Sequence, residues 1–235
     1  MPGITVDAVL FDMDGTLIDS TPGVMRAWET FGKQYGFDPA EAAHASHGRR
    51  LADTLVEWCK IPKDDLFRLE AEVVRFEQEV IEGGPVILPG VHELVEQLIE
   101  GSSPETKSYG WTIVTSATSI YTPKALSVCS IPVPDAGYVT SDDVDNGKPH
   151  PDPYLAGAKK CGVDPSKCLV VEDAPSGLRA GHAAGSKTLA VCTSHTRSQI
   201  EESGANPDFI VTDLSKVSAR WVDGKVVIEI DDRVD

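Results

Sequence analysis

The chain has 235 residues, of which 41% are hydrophobic and 25% charged. These values are typical of one large globular domain, or of a domain with an insertion, and they exclude a disordered or fibrous protein. The formal net charge of -16 disfavours binding to nucleic acid or to anionic membranes. No apolar run approaches the roughly 20 residues that span a bilayer. We therefore expect a cytoplasmic protein without nucleic-acid or membrane partners, and a monomer, with a dimer left open.

The first predicted strand ends in two carboxylates. Val6 and residues 8–11 form an apolar run of the kind found in strands that are buried on both faces. Asp12 and Asp14 follow it two residues apart, so they point to the same side of the chain. A polar turn at Asp14 and Gly15 is the plainer interpretation, but it leaves the second carboxylate unexplained. Two carboxylates this close predict a bound cation or a raised pKa.

A helical pattern extends from about residue 20 to residue 85. Apolar residues recur at three- and four-residue spacing within 24–35, 51–58 and 66–80. Pro22 lies in the first turn, with Ser20 or Thr21 as the N-cap, and Gly83-Gly84-Pro85 ends the pattern. We predict a helical domain over 19–85, inserted into a core domain that comprises 1–18 and 86–235.

From residue 86 onwards, predicted strands and helices alternate, which is typical of a parallel α/β sheet. We predict helices at 92–98, 119–128, 153–161 and 176–184. The predicted strands are 111–115, 137–140, 168–171, 189–192 and 209–211, with 226–230 as an edge hairpin strand. The acidic tail over 229–235 is expected to be a solvated end.

Polar groups follow several of these strands. Thr115 and Ser116 end one, Glu172 and Asp173 end another, and Lys148 lies in a proline-flanked loop. Ligands of open parallel sheets bind outside the carboxyl ends of the strands. We therefore expect these groups to meet the two aspartates of the first strand in one site.

Four polar segments thus stand in a fixed order along the chain. They are Asp12-Met13-Asp14-Gly15-Thr16, Thr115-Ser116, Gly147-Lys148-Pro149 with Pro151-Asp152-Pro153-Tyr154, and Glu172-Asp173-Ala174-Pro175-Ser176-Gly177. Together they resemble the four motifs of the haloacid dehalogenase-like hydrolase superfamily, from residue 7 to about 192. The resemblance implies an α/β fold with a doubly wound, mostly parallel Rossmann-like sheet and a small helical cap inserted after the first strand.

The resemblance also implies a role for each acidic residue. Asp12 would be the nucleophile that forms an aspartyl-phosphate, and Asp14 would be the general acid and then the general base. Mg²⁺ would be bound by the Asp12 carboxylate, by the backbone carbonyl of Asp14 and by Asp173. Glu172 would be either a further metal ligand or a residue just behind the ligands.

Cations are needed because the attacking carboxylate and the phosphate ester repel each other. Two unit charges at 4 Å repel by about 4 kcal/mol at an effective dielectric of 20, which is roughly three powers of ten in rate. On the family pattern Lys148 would compensate this charge beside the metal. Ser116 would hydrogen-bond the phosphoryl group, next to Ala117 in the same phosphate-binding loop.

The expected reaction narrows further within the superfamily. Dehalogenases lack the second aspartate, so the presence of Asp14 favours phosphoryl chemistry. β-Phosphoglucomutase-like members carry a histidine where this chain has Val24, which disfavours a mutase. His47, Arg49 and Arg50 in the cap, together with residues 147–154, are most similar to glycerol 3-phosphate and 2-deoxyglucose 6-phosphate phosphatases. We assign these three cap residues to substrate binding.

The leading hypothesis is therefore a Mg²⁺-dependent phosphatase whose partner is a small phosphorylated metabolite, a polyol or sugar phosphate. A sugar-phosphate mutase and another small-metabolite phosphatase, such as a phosphoglycolate phosphatase, remain alternatives. A binding protein that has lost catalysis is a third class, but it would normally lack the nucleophile, the acid or a metal ligand, and none of these is missing.

Overall fold

The computed structural model describes residues 3–103 and 109–231 and confirms the α/β fold. Its strands are β1 (Gly3–Val6), β2 (Ala8–Phe11), β3 (Ile18–Asp19), β4 (Val86–Ile87), β5 (Trp111–Val114), β6 (Tyr138–Val139), β7 (Cys168–Glu172), β8 (Lys187–Val191), β9 (Phe209–Val211), β10 (Val217–Val222) and β11 (Lys225–Ile230). Its α-helices are α1 (Thr21–Tyr35), α2 (Pro39–Ser46), α3 (Leu51–Cys59), α4 (Leu66–Glu82), α5 (Val91–Glu100), α6 (Thr122–Val128), α7 (Asp152–Cys161), α8 (Pro175–Ala183) and α9 (Arg197–Glu202).

The main sheet is parallel and has the strand order β6-β5-β2-β7-β8-β9. Successive residues of a strand face opposite sides, and β2 is buried throughout, with Leu10 packing in the cluster on the α7 side and Phe11 in the cluster on the other side. The predicted doubly wound arrangement is therefore confirmed. Because β2 lies between β5 and β7, the chain segments that follow these three strands emerge next to one another.

A second, antiparallel sheet corrects one expectation. Residues 226–230 were predicted to form an edge strand, but β11 lies in the middle of a three-stranded sheet, between β1 and β10. The β1 strand is separated from β2 by Asp7 alone, so the sequence pattern merges the two. Of the acidic tail, Glu229 and Ile230 are paired within β11, and residues 232–235 lie outside the described residues.

Helices α1 to α4 form a bundle between β3 and β4. These two short strands pair with each other, so both connections to the bundle leave the core at one place. Aromatic rings fill the interior of the bundle, where Phe76 of α4 lies 4.8 Å from Trp28 and 5.2 Å from Phe31, ring centroid to ring centroid. The predicted division into a cap domain over 19–85 and a core domain of 1–18 and 86–235 stays a proposal, which this arrangement supports.

Helix boundaries in the core follow local sequence. Pro123 and Pro153 both lie in a first helical turn, where the missing N–H costs nothing, and α6 and α7 each begin one residue before the proline. Within the described residues, no helix is long and apolar enough to cross a membrane.

Candidate active site

The predicted site residues at the ends of β2 and β7 meet around a buried lysine. Lys148 Nζ lies 2.6 Å from Asp12 Oδ1, 2.7 Å from Glu172 Oε1 and 3.0 Å from the carbonyl oxygen of Val114. Burial alone would lower the pKa of Lys148, but the charges of Asp12 and Glu172 raise it above its usual value. Lys148 is therefore held as a cation against both carboxylates.

Glu172 has both carboxylate oxygens occupied. Besides Lys148, the hydroxyl of Tyr154 donates to Oε1 at 2.8 Å, and the backbone N–H of Ala174 donates to Oε2 at 3.2 Å. The first turn of α8 packs directly on this carboxylate, and a Cβ at position 177 would overlap it. Gly177 is thus required for the close approach of helix and carboxylate.

Asp173 faces the opposite way, towards the cap. Its Oδ2 atom lies 2.7 Å from His47 Nε2, and His195 Nδ1 lies 3.1 Å from its backbone carbonyl oxygen. Burial disfavours the charge on Asp173, but the hydrogen bond and charge of His47 hold its pKa below the ordinary value. For His47, the hydrogen bond to Asp173 and the negative charge of Asp173 outweigh the effect of burial, and they raise the pKa of His47 to about 9. Gly15, at φ +93°, lies against this carboxylate, where a Cβ would overlap it.

The two aspartates of the opening motif differ in their contacts. Asp12 bonds Lys148, whereas Asp14 Oδ1 accepts a hydrogen bond of 2.7 Å from the hydroxyl of Tyr121. Ser20, predicted as a helix N-cap, makes no capping hydrogen bond and instead bonds Asp14. Burial raises the pKa of Asp14, although the hydrogen bonds from Ser20 and Tyr121 act to lower it. The sequence indicated the inequivalence of the two aspartates but not these donors.

A group of three carboxylates fits a divalent cation. Asp12, Glu172 and Asp173 each offer an oxygen, and these atoms all lie within 4.8 Å of one another. Burial raises the pKa of Asp12 well above its usual range; Lys148 opposes this, and the other two carboxylates reinforce it. The charge of Lys148 thus offsets only part of the effect of burial and of the neighbouring carboxylates on Asp12. The all-oxygen donors suit a hard cation such as Mg²⁺. The residues present therefore fit a metal ion.

The loop after β5 has the expected position beside these acids. Ser116 and Ala117 both line the cavity above Asp12, and Ser116 Oγ donates to the carbonyl oxygen of Gly48 in the cap, at 3.2 Å. The backbone N–H of Ala117 is bonded to Thr115 Oγ1 at 3.1 Å. In this closed arrangement the hydroxyl assigned to phosphate binding contacts the cap.

The two cap arginines have separate surroundings. Arg50 donates from Nη2 to the carbonyl oxygen of Val144 at 2.6 Å and from Nη1 to that of Asp145 at 3.0 Å, in the loop that leads to Lys148. Arg49 lines the cavity and pairs with Glu57 at 3.0 Å. Of the two arginines assigned to substrate binding, Arg49 is placed at the cavity, and Arg50 joins the cap to the core.

The cavity between cap and core has a volume of about 350 Å³. Asp12, Asp14 and Ser116 form its floor. Its cap side is largely apolar and includes Val24, Met25, Trp28, Leu51, Phe76 and Val80. A small organic group of mixed polarity would fit above the carboxylates.

Glu77 also lines the cavity, although it was not among the predicted site residues. It lies in α4, next to the apolar stripe of that helix, and accepts hydrogen bonds from the backbone N–H of Thr118 at 2.9 Å and from its hydroxyl. Burial raises the pKa of Glu77 to about 7, although the hydrogen bonds from Thr118 oppose the shift. Tyr121, Tyr154 and His195 were likewise not singled out, although Tyr154 falls within the third quoted motif. A carboxylate on the buried face of a cap helix is the one sequence signal that points to Glu77.

The parallel α/β fold, with Asp12, Asp14 and Asp173 at the ends of its strands and Lys148 bonded to Asp12, is the arrangement that the four sequence motifs predicted for a hydrolase. The model of the haloacid dehalogenase-like hydrolase family matches residues 6–185, and the chain belongs to this family. The resemblance of the four motifs is thereby confirmed.

Named relatives of this chain are phosphatases. Hexitol phosphatase A of Escherichia coli (strain K12) is 34% identical over 225 residues, which are 94% of this chain and 97% of that protein. Glycerol-1-phosphate phosphohydrolase 1 of Saccharomyces cerevisiae is 35% identical over 88% of this chain and 82% of that protein. For 2-deoxyglucose-6-phosphate phosphatase 2 of the same yeast the identity is 31%, over 93% of this chain and 92% of that protein. The predicted similarity to glycerol phosphate and deoxyglucose phosphate phosphatases is confirmed, and the chain is a phosphoric monoester hydrolase.

Proposed function

We propose that this protein is a Mg²⁺-dependent phosphatase that hydrolyses a small polyol or sugar phosphate through an aspartyl-phosphate at Asp12. One observation carries the proposal: Asp12, Asp14 and Ser116 form the floor of a single cavity, with Lys148 bonded to Asp12 behind it. A nucleophile, an acid and a cation are thus available to one bound phosphate ester.

The proposed reaction has two steps. Asp12 attacks phosphorus, the bond to the leaving oxygen breaks, and Asp14 transfers its proton to that oxygen, which leaves as the alcohol. Water then attacks the phosphoryl group on Asp12 while Asp14 takes a proton from it, so that phosphate departs and both aspartates return to their first state. Lys148 remains protonated throughout and offsets the negative charge on Asp12.

The metal would be held by the Asp12 carboxylate, the backbone carbonyl of Asp14 and Asp173. When bound, Mg²⁺ neutralises charge on the phosphoryl oxygens and favours the ionised form of Asp12. Glu172, the third carboxylate of the group that fits the metal, bonds Lys148, Tyr154 and the backbone N–H of Ala174, and we assign it to holding Lys148 directly behind the metal ligands. The loop carrying Ser116 and Ala117 would bind the remaining phosphoryl oxygens once the substrate replaces the contact to the cap.

The leaving group is proposed from the cavity and the relatives together. Hexitol, glycerol and deoxyglucose phosphates are the substrates named for the three relatives. A volume of about 350 Å³ admits leaving groups of this size. Val24 lines the cavity with an apolar side chain where mutases carry a histidine, so a mutase is disfavoured. A phosphoglycolate-type substrate would need a cation for its carboxylate, and Arg49 and His47 are cavity residues that could supply one.

The test is a panel of small phosphate esters with released phosphate as the readout. We expect polyol and sugar phosphates to be hydrolysed best, and removal of Mg²⁺ by a chelator to stop turnover reversibly. Asp12→Asn is expected to abolish turnover on every ester while the far-UV circular dichroism spectrum shows that the fold is retained. Full activity in this variant, or turnover in the presence of the chelator, would contradict the proposal.

A further inference from the structure

Tyr121 occupies a position that the reaction described above does not explain. It directly precedes α6, it is 3% exposed, and its hydroxyl lies 2.7 Å from Asp14 Oδ1. The backbone N–H of Tyr121 bonds Thr118 Oγ1 at 3.2 Å, within the turn that follows the phosphate-binding loop. Thr118 is itself bound by Glu77 of the cap. Tyr121 is therefore held at two points: its backbone N–H bonds the turn, and its hydroxyl bonds Asp14.

We propose that Tyr121 is a positioning residue for the general acid: its hydroxyl holds the Asp14 carboxyl group so that Oδ2 carries the proton for the leaving oxygen. The inference rests on the proposed function. A protonated carboxyl oxygen accepts a hydrogen bond less well than a carbonyl oxygen does, so the bond from the Tyr121 hydroxyl to Oδ1 favours protonation of the other oxygen. A carboxyl group fixed in this way spends less time in orientations from which it cannot reach the substrate.

Tyr121 itself does not compete as the acid. The Tyr121 hydroxyl donates a hydrogen bond to Asp14 Oδ1 at 2.7 Å, and a tyrosine hydroxyl, which ordinarily titrates at about pH 10, stays protonated near neutral pH. It therefore remains a hydrogen-bond donor during both steps, and the proton that reaches the leaving group comes from Asp14. No atom of Tyr121 is gained or lost in the reaction.

The structure also gives Tyr121 an ordinary packing role, because its ring belongs to the hydrophobic core. The two roles predict different responses to the leaving group. A poor alkoxide leaving group needs its proton in the transition state, whereas p-nitrophenolate leaves without one. A defect in acid positioning therefore appears only with alkyl esters, and a packing defect lowers the rate on both.

The experiment compares kcat/KM of Tyr121→Phe on glycerol phosphate and on p-nitrophenyl phosphate, because kcat/KM reports steps up to phosphoryl transfer. We expect a loss of about tenfold or more on the alkyl ester, the effect of one hydrogen bond to Asp14 as this group becomes charged on losing its proton, and a change within about twofold on the aryl ester. Tyr35→Phe is the matched control, since it removes a similar bond of 2.8 Å to Glu72 inside the cap. It should change neither rate.

Asp14→Asn is the reference variant. We expect its kcat/KM on the alkyl ester to fall more than that of Tyr121→Phe, again with little change on the aryl ester. The inference would be overturned if Tyr121→Phe lost the same factor on both esters, lost nothing on the alkyl ester, or failed to fold. In each of these cases a selective loss in Asp14→Asn would still support the proposed function. If Asp14→Asn shows no selectivity, the acid role itself fails.

Discussion

Replacing Lys148 by methionine should lower both the stability and the activity of the protein, because it leaves two buried carboxylates without their cation. The substitution keeps an unbranched side chain that is one atom shorter, but it removes a cation that lies 2.6 Å from Asp12 and 2.7 Å from Glu172. At these distances each pair corresponds to about 6 kcal/mol of attraction at an effective dielectric of 20. Desolvation of the lysine offsets much of this, so breaking a buried pair of this kind costs about 3–5 kcal/mol of unfolding free energy.

The activity should fall further than the stability suggests. Without Lys148, the attack of Asp12 on the phosphate ester has one cation fewer to offset a repulsion of about 4 kcal/mol. We expect kcat/KM to fall about a thousandfold. Phosphate release measures this loss. Urea unfolding in the presence of a chelator measures the stability without a contribution from bound metal.

A double-mutant cycle separates the lost ion pairs from lost packing. Glu172→Gln removes the second carboxylate but keeps an oxygen for Tyr154. In Lys148→Met/Glu172→Gln we expect the loss of unfolding free energy to be smaller than the sum of the single losses by about 2 kcal/mol. Additive losses, or a stability of Lys148→Met equal to that of the wild type, would refute the buried ion-pair reasoning.

Further predictions concern the cap. Because the pKa of Glu77 is raised by burial to about 7 from an ordinary 4.5, its contribution to stability is full below about pH 4.5 and lost as the pH rises through 7. Wild-type unfolding free energy should therefore fall between pH 5 and pH 8 by on the order of 3 kcal/mol more than that of Glu77→Gln, and parallel curves would contradict this. Arg49→Ala should lower kcat/KM for the physiological ester roughly tenfold and spare p-nitrophenyl phosphate, because Arg49 lines the cavity. Arg50→Ala should lower both alike, because it holds the loop that leads to Lys148; a selective effect of Arg50→Ala would argue for substrate contact instead.

The central part of the fold could be predicted because its signals are local. A strand that ends in Asp12 and Asp14, with later strands that end in Ser116 and in Glu172-Asp173, places the site at one edge of a parallel sheet whatever the exact packing. The grouping of Lys148 with the acids followed from the need to cancel charge. These expectations depend on chain order and electrostatics, which the sequence carries directly.

The contacts between cap and core could not be predicted, because they depend on how two separate parts of the chain dock. Arg50 and Val144 are 94 residues apart, and Glu77 and Thr118 are 41 residues apart, with no shared pattern that links them. A buried carboxylate in an amphipathic helix resembles a solvated one until its partner is known. The hydroxyl of Tyr121 is a similar case, since its ring alone accounts for an apolar position.

The central claim is covalent catalysis by Asp12, and trapping tests it most directly. In Asp14→Asn, p-nitrophenyl phosphate should still phosphorylate Asp12, because its leaving group needs no proton, whereas hydrolysis of the acyl phosphate should be slow because the base is absent. Acid quenching and mass spectrometry of the peptides should then place one phosphoryl group on Asp12. A phosphoryl group on another residue, or none during active turnover, would contradict the account.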